Sequence, residues 1–299
     1  MIPRYPYPAI AWVTPSAHDA FTARWDIPIV PTGTLPSGTA TLVACGGGKL
    51  IDAAKAVAKR RPEPLVLVAV PSAWGAGAEA SPVVVLDRAD GTKDVTTDPA
   101  QLPDDVVLWP ELTEILPADR RRWGAADVWA HSLEAIASPL GDVVLRAELA
   151  RILGELDALD PVDGDAGTWL TLSGRSCAAQ ARAGVGLAHG IAHVMEAHLP
   201  GWGHARIVAA VLPAVVRRTA AESPRWREAT AEHGLDATAI AGWLETLTTT
   251  EDTITVLDAL PAYWPQVQRD PCTRMNGYVV RRSELDALRA AAMKPEAVG

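Results

Sequence analysis

The sequence predicts a chain of two unlike parts, an α/β domain with a mainly parallel sheet followed by an all-helical domain. Three observations carry that prediction. About the first hundred residues alternate short β-like apolar runs with glycine-bearing turns and helical patterns. From about Pro117 the strand signal gives way to helical spacing. Within that second part, Asp160-Pro-Val-Asp-Gly-Asp165 and Leu199-Pro-Gly-Trp-Gly203 read as turns between helices, so no long linker separates further domains. In order, residues 9–13, 41–44, 65–70 and 83–86 read as short buried strands. Residues 50–59 read as the helix between the second and third strands, and such alternation joins parallel neighbours. Residues 122–138, 142–157, 167–183 and 185–198 read as helices, as do later segments through Leu288. The two domains are expected at 1–116 and 117–299.

Composition narrows the classes of function. A chain of 299 residues with 48% hydrophobic and 21% charged residues is long and apolar enough to fold around proper cores. A formal charge of -9 repels a phosphate backbone, and the basic runs stop at Lys59-Arg60-Arg61 and Arg120-Arg121-Arg122, so no nucleic-acid partner is expected. The apolar stretches are shorter than a bilayer span, and the start lacks a basic region followed by an apolar core; a cytoplasmic protein with no membrane partner is expected. Three widely separated cysteines suggest neither a disulfide framework nor a cysteine-based zinc site.

Two helical signatures carry the chemistry. Asp127-Val-Trp-Ala-His131 and Leu187-Ala-His189-Gly-Ile-Ala-His193 each place two side chains four residues apart, hence one turn apart on one helix face, and His204 follows. A lone histidine is usually an ordinary helix residue, but several correctly spaced ones drawn from only 7 in the chain favour ligation. One carboxylate with three imidazoles is a first-row-metal set, open to iron(II) and to zinc(II) alike.

Two glycine-rich loops add a second chemistry. Cys45-Gly46-Gly47-Gly48-Lys49 joins a strand to a helix, where missing Cβ atoms let a phosphate approach and the helix N-terminus offers free N–H groups. Pro71-Ser72-Ala73-Trp74-Gly75-Ala76-Gly77-Ala78-Glu79 follows the next strand. Paired loops at the carboxyl ends of adjacent strands form the crevice where open α/β sheets bind nucleotides.

With these motifs in order, the chain resembles the iron-containing (group III) alcohol dehydrogenases, which share a superfamily with dehydroquinate synthases. The family's GGGS-x-x-D-x-A-K, P-T-T-x-G-T-G-S-E, D-A-x-x-H-x-x-E, H-x-x-x-H and H with a following L-P correspond to Gly46 to Lys55, Pro71 to Glu79, Asp127 to Glu134, His189 to His193, and His204 with Leu212-Pro213. The resemblance implies a dehydroquinate synthase-like architecture, with a shortened nucleotide-binding domain and a helical metal-binding domain. It implies metal ligands Asp127, His131, His189 and His204 for Fe(II) or Zn(II), with His193 near the nicotinamide as a proton-relay or orienting group. It also implies NAD or NADP held by Gly46, Gly47, Gly48, Lys49, Asp52, Ser72, Trp74, Gly75 and Lys93.

The departures are specific. Lys49 stands for the family's serine, Ala73 and Ala76 for threonines, Ala205 for a glycine and Val208 for an asparagine; Trp74 replaces a small residue and either stacks on the nicotinamide or fills its place. Most of one βα unit is missing between Val13 and Thr41, and Pro15-Ser16-Ala17-His18 replaces the acidic reader of the ribose, so NAD and NADP both stay open. The implied reaction interconverts an alcohol and an aldehyde or ketone, including oxidation of a β-hydroxy acid or a peptide-terminal threonine in a natural-product pathway. The rivals are a dehydroquinate synthase-like cyclase or lyase and a non-catalytic binding protein. A homo-oligomer is expected, with residues 14–41 near an interface or the cofactor mouth, because the shortened domain leaves a sheet edge open.

Overall fold

A computed structural model describes residues 5–89 and 91–293. In chain order the elements are β1 (Ala9–Val13), α1 (His18–Arg24), β2 (Thr41–Gly46), α2 (Gly48–Arg60), β3 (Val66–Pro71), β4 (Val83–Asp87), β5 (Lys93–Thr97), β6 (Asp105–Val106) and α3 (Pro110–Glu114). They continue with α4 (Ala118–Ala137), α5 (Val143–Asp157), α6 (Ala166–Gln180), α7 (Leu187–Met195), α8 (His204–Glu222), α9 (Pro224–His233), α10 (Ala237–Leu244), α11 (Thr250–Val267), α12 (Pro271–Arg274) and α13 (Glu284–Ala292). The chain divides into two compact units at Pro117/Ala118, Asp163/Gly164 and Ala178/Ala179. The first unit holds the strands and takes Gly164–Ala178 from within the helical half of the sequence, and the second unit is helical.

In the first unit β1, β2, β3 and β6 form one parallel sheet in the order β1-β2-β3-β6. The strand side chains alternate between two cores. Ala9, Ala11, Val43, Cys45, Val68 and Val70 pack with Phe21, Trp25, Trp109 and Leu112, while Ile10, Trp12, Leu42, Ala44, Leu67 and Ala69 pack with Leu50, Ile51 and Ala54 of α2. The chain's single Phe sits edge-on to Trp25 at 4.8 Å, and Trp25 edge-on to Trp109 at 5.1 Å. Each such pair adds about 0.5–1.5 kcal/mol beyond its burial.

Two findings differ from the sequence reading. The run at 83–86 does not join the parallel sheet; β4 pairs antiparallel with β5 across a turn carrying Gly91 at φ 80°. Only Val84 of β4 is fully buried, a pattern unsuited to a sheet covered on both faces. The edge of β1 is bridged at one residue from within the chain. Ala11 N donates to Pro28 O at 2.9 Å and Val30 N to Ala11 O at 3.0 Å, so the segment around Ile29 bonds to this edge at Ala11.

Helix α6 joins the first unit through packing on the second glycine-rich loop. Trp169 stacks on Trp74 at 5.7 Å, and Gly75 N donates to Ser173 Oγ at 2.9 Å. Gly77 has φ +56°, and a Cβ there would lie 2.3 Å from Cys177 Cβ, so only glycine fits both the backbone and the contact.

The helical unit is organised around α4, buried continuously from Gly124 to Ala137. Helices α5, α7, α8 and α9 pack on it. Asp142 caps α5 by accepting from Leu145 N at 2.7 Å. Gly190 lets α7 approach α12 closely, since a Cβ there would lie 2.0 Å from Thr273 Oγ1. Among the described residues, no helix is long and apolar enough to cross a membrane.

Candidate metal centre

Helix geometry and packing together bring the two signatures to one point in the second unit. Asp127 and His131 lie one turn apart on α4, and His189 lies on α7, which packs against α4. One ligand atom from each of these three buried residues lies within 4.8 Å of the others. His204, the first residue of α8, places Nε2 3.7 Å from Asp127 Oδ1 and its ring centroid 5.3 Å from that of His189. The four residues that the resemblance implies as ligands are thus neighbours.

The polar atoms at the centre of this group test whether it suits a cation. Asp127 Oδ1 and His189 Nε2 are each buried without a hydrogen-bond partner among the described residues, and they face one another at 3.5 Å. Buried polar atoms are nearly always bonded, and a buried carboxylate without compensation is costly. Burial pushes the Asp127 carboxyl up to about 6, although His189 pulls it down. A divalent ion shared by these atoms would satisfy both, and the donor set of one carboxylate and three imidazoles is a known first-row set.

Glu134 sets the orientation. Its Oε2 lies 2.7 Å from His189 Nδ1 and accepts from Gly186 N at 2.9 Å, while Oε1 accepts from Ala188 N at 2.6 Å. The carboxylate therefore both caps the N-terminus of α7 and turns His189 Nε2 toward Asp127. Burial opposes charge on His189, but the hydrogen bond and charge of Glu134 outweigh it, and its pKa is raised.

His193 has a separate surround. Its Nδ1 lies 3.3 Å from Asp270 Oδ2 and 3.7 Å from Cys272 Sγ, and its ring centroid is 5.5 Å from that of His204. Burial, then the charges of Asp270 and Glu134, push the Cys272 thiol well up. Sequence reasoning gave no role to Glu134, Asp270 or Cys272. Glu134 sits three residues after His131 on the same face, a signal within reach. Asp270-Pro-Cys272 reads only as a helix cap, which Asp270 Oδ1 provides by accepting from Cys272 N at 2.8 Å.

The glycine-rich loops of the first unit divide into packing and open positions. A Cβ on Gly46 would lie 2.6 Å from Thr14 Cγ2, and one on Gly48 2.6 Å from Ala76 Cβ, so both are glycine for close packing. Gly47 caps α2 with no side-chain bond, and a Cβ there would meet nothing within 4 Å. That open helix N-terminus, with no acidic residue in its first turn, suits a phosphate. Lys49 donates to Asp87 Oδ2 at 3.2 Å and Lys93 to Asp87 Oδ1, so two cations flank one carboxylate, which Lys93 and then Lys49 hold below its usual range.

The remaining expected cofactor residues are engaged in the fold. Asp52 joins Lys55 Nζ at 3.1 Å and accepts from Val85 N at 3.0 Å, which ties the hairpin to α2. Ser72 is buried, with its N donating to Gly46 O at 3.0 Å. Gly75 is bonded to Ser173. Trp74, 4% exposed, stacks on Trp169.

Known proteins resemble this chain at three levels. The family model described as iron-containing alcohol dehydrogenase matches residues 36–110. The Salmonella typhimurium protein named "Probable alcohol dehydrogenase EutG" is 30% identical over 288 residues, covering 84% of this chain and 72% of that protein. Maleylacetate reductase of Sphingobium indicum is 34% identical over 200 residues, covering 62% of this chain and 53% of the relative. Against this and several further curated relatives the matched region spans about half of their length. Among solved structures, sulfoacetaldehyde reductase from Bifidobacterium kashiwanohense in complex with NAD+ matches with a TM-score of 0.76 at 17% identity, covering 96% of this chain and 91% of that one, a likeness of fold.

Proposed function

Because the chain belongs to the iron-containing alcohol dehydrogenase family, we propose that it is a metal-dependent, NAD(P)-linked oxidoreductase interconverting an alcohol and an aldehyde or ketone. The observation that carries this reading is the pair of buried, unbonded atoms Asp127 Oδ1 and His189 Nε2, 3.5 Å apart, with His131 and His204 beside them. Asp127, His131, His189 and His204 would hold one divalent ion, iron(II) or zinc(II). When bound, that ion supplies Lewis-acid polarisation of the substrate oxygen, and a nicotinamide cofactor supplies the hydride exchange. Glu134 keeps His189 in the tautomer and orientation that ligation needs. Asp270 Oδ2 accepts a hydrogen bond from His193 Nδ1–H, which leaves the imidazole lone pair at Nε2; His193 there accepts or returns the proton of the substrate hydroxyl. In the first unit, Gly47 and the N-terminus of α2 take the cofactor diphosphate, with Lys49 and Lys93 as nearby cations.

Our finer reading is an acid-bearing substrate, a β-hydroxy acid or a peptide-terminal threonine. A relative named for maleylacetate supports that class. A fold relative holding NAD+ favours NAD over NADP. The same reading takes the protein as a cytoplasmic homo-oligomer, to be checked by fractionation and light scattering. The deciding experiment measures metal content after anaerobic purification and NAD+- or NADP+-dependent oxidation of a panel of simple and acid-bearing alcohols, for the parent and Asp127→Asn. We expect bound metal and turnover in the parent and neither in the variant. Full metal content in the variant, or a metal-loaded parent inert toward the whole panel, would overturn the proposal.

A further inference from the structure

We propose that His193, Asp270 and Cys272 form a second cation site, for a borderline-soft divalent ion of the zinc and cadmium class, separate from the set around Asp127. The three offer an imidazole nitrogen, a carboxylate oxygen and a sulfur, all within 4.8 Å of one another. His193 Nδ1 stands 3.3 Å from Asp270 Oδ2 and 3.7 Å from Cys272 Sγ. A tetrahedral zinc ion, with bonds of about 2.0 Å to nitrogen and oxygen and about 2.3 Å to sulfur, separates its ligand atoms by roughly 3.3 Å for nitrogen and oxygen and roughly 3.6 Å for nitrogen and sulfur. The donors already stand near those separations.

The fold holds them there. Asp270 Oδ1 accepts from Cys272 N at 2.8 Å, fixing the two side chains on one turn. Gly190, one turn before His193 on α7, admits Thr273 of that turn closely enough to exclude any side chain. Three donors fill three tetrahedral positions and leave the fourth to water. The sulfur sets the preference: the Asp127 set offers only oxygen and nitrogen, whereas a thiolate favours zinc and softer ions.

The Cys272 thiol loses its proton to solvent and bonds the ion as thiolate, Asp270 contributes one oxygen, and His193 bonds through Nδ1. The neutral imidazole then carries its one proton on Nε2, where no lone pair remains to accept another. A second equivalent of such an ion is therefore inhibitory, a consequence that rests on the proton-relay role given to His193 above.

Titrating cadmium(II) into zinc-loaded protein, while monitoring retained zinc, tests the site without relying on turnover. We expect a sulfur-to-cadmium charge-transfer band that saturates at one equivalent, protection of one thiol from alkylation, and loss of both in Cys272→Ser. Asp270→Asn should weaken cadmium binding at least tenfold, with the band still traceable to Cys272. A titration of the parent that gives no band and no thiol protection, or a band unchanged in Cys272→Ser, overturns the site. Inhibition is read separately: a saturated band with undiminished turnover leaves the site standing and removes the relay role of His193.

Discussion

Glu134 Oε2 lies 2.7 Å from His189 Nδ1, so one carboxylate buried in α4 both caps α7 and decides which nitrogen His189 turns toward Asp127. Glu134→Gln keeps the shape but removes the charge and leaves one acceptor oxygen for three donors. Metal affinity should fall about 10- to 100-fold, measured by competition with a chelator. An affinity equal to the parent's would mean that α7 packing alone orients His189.

Gly47 and Gly48 should separate cofactor binding from folding. Gly47→Val places its side chain where a Cβ meets nothing within 4 Å, so the variant should melt like the parent yet bind nicotinamide dinucleotide at least tenfold more weakly in a fluorescence titration. Gly48→Val pushes against Ala76 at 2.6 Å and should cost about 1–3 kcal/mol of stability. Equal cofactor affinity in parent and Gly47→Val would move the diphosphate elsewhere.

Glu79 should make the stability of the first unit fall as pH rises. Burial lifts its carboxyl from 4.5 to about 7, so the folded state binds more protons than the unfolded one between those values. The contribution is full below 4.5 and lost as pH rises through about 7. Its size is about 3 kcal/mol at most. Glu79→Gln should flatten this part of the stability curve in denaturant titrations across that window; a curve parallel to the parent's would show that Glu79 is ionised without penalty.

Trp74 should act through packing. Trp74→Ala removes the stack on Trp169 and should cost about 3–5 kcal/mol, whereas Trp74→Phe should keep cofactor affinity within about twofold of the parent. A large loss of affinity in a stably folded Trp74→Phe would return the indole to the cofactor.

Spacing within a single element was legible from the sequence because helix and strand geometry is local. Asp127 with His131, and His189 with His193, are one turn apart in any α-helix, and the strand, glycine, helix order around Gly46 to Gly48 requires a parallel unit. Relations between distant residues were not legible. Nothing in the spacing of Asp270 and Cys272 links them to His193; the approach of α12 to Gly190 does that. Trp74 and β4 show the same limit. The burial of Trp74 depends on Trp169 of α6, and the apolar run after its loop fits either a parallel strand or a hairpin, a choice that depended on β5. The sequence by itself determined the order of an α/β part and a helical part, the candidate ligands and the glycine-rich loops. Tertiary packing decided which polar atoms were left facing one another without partners, because burial and hydrogen-bond satisfaction belong to the assembled core and not to any one segment.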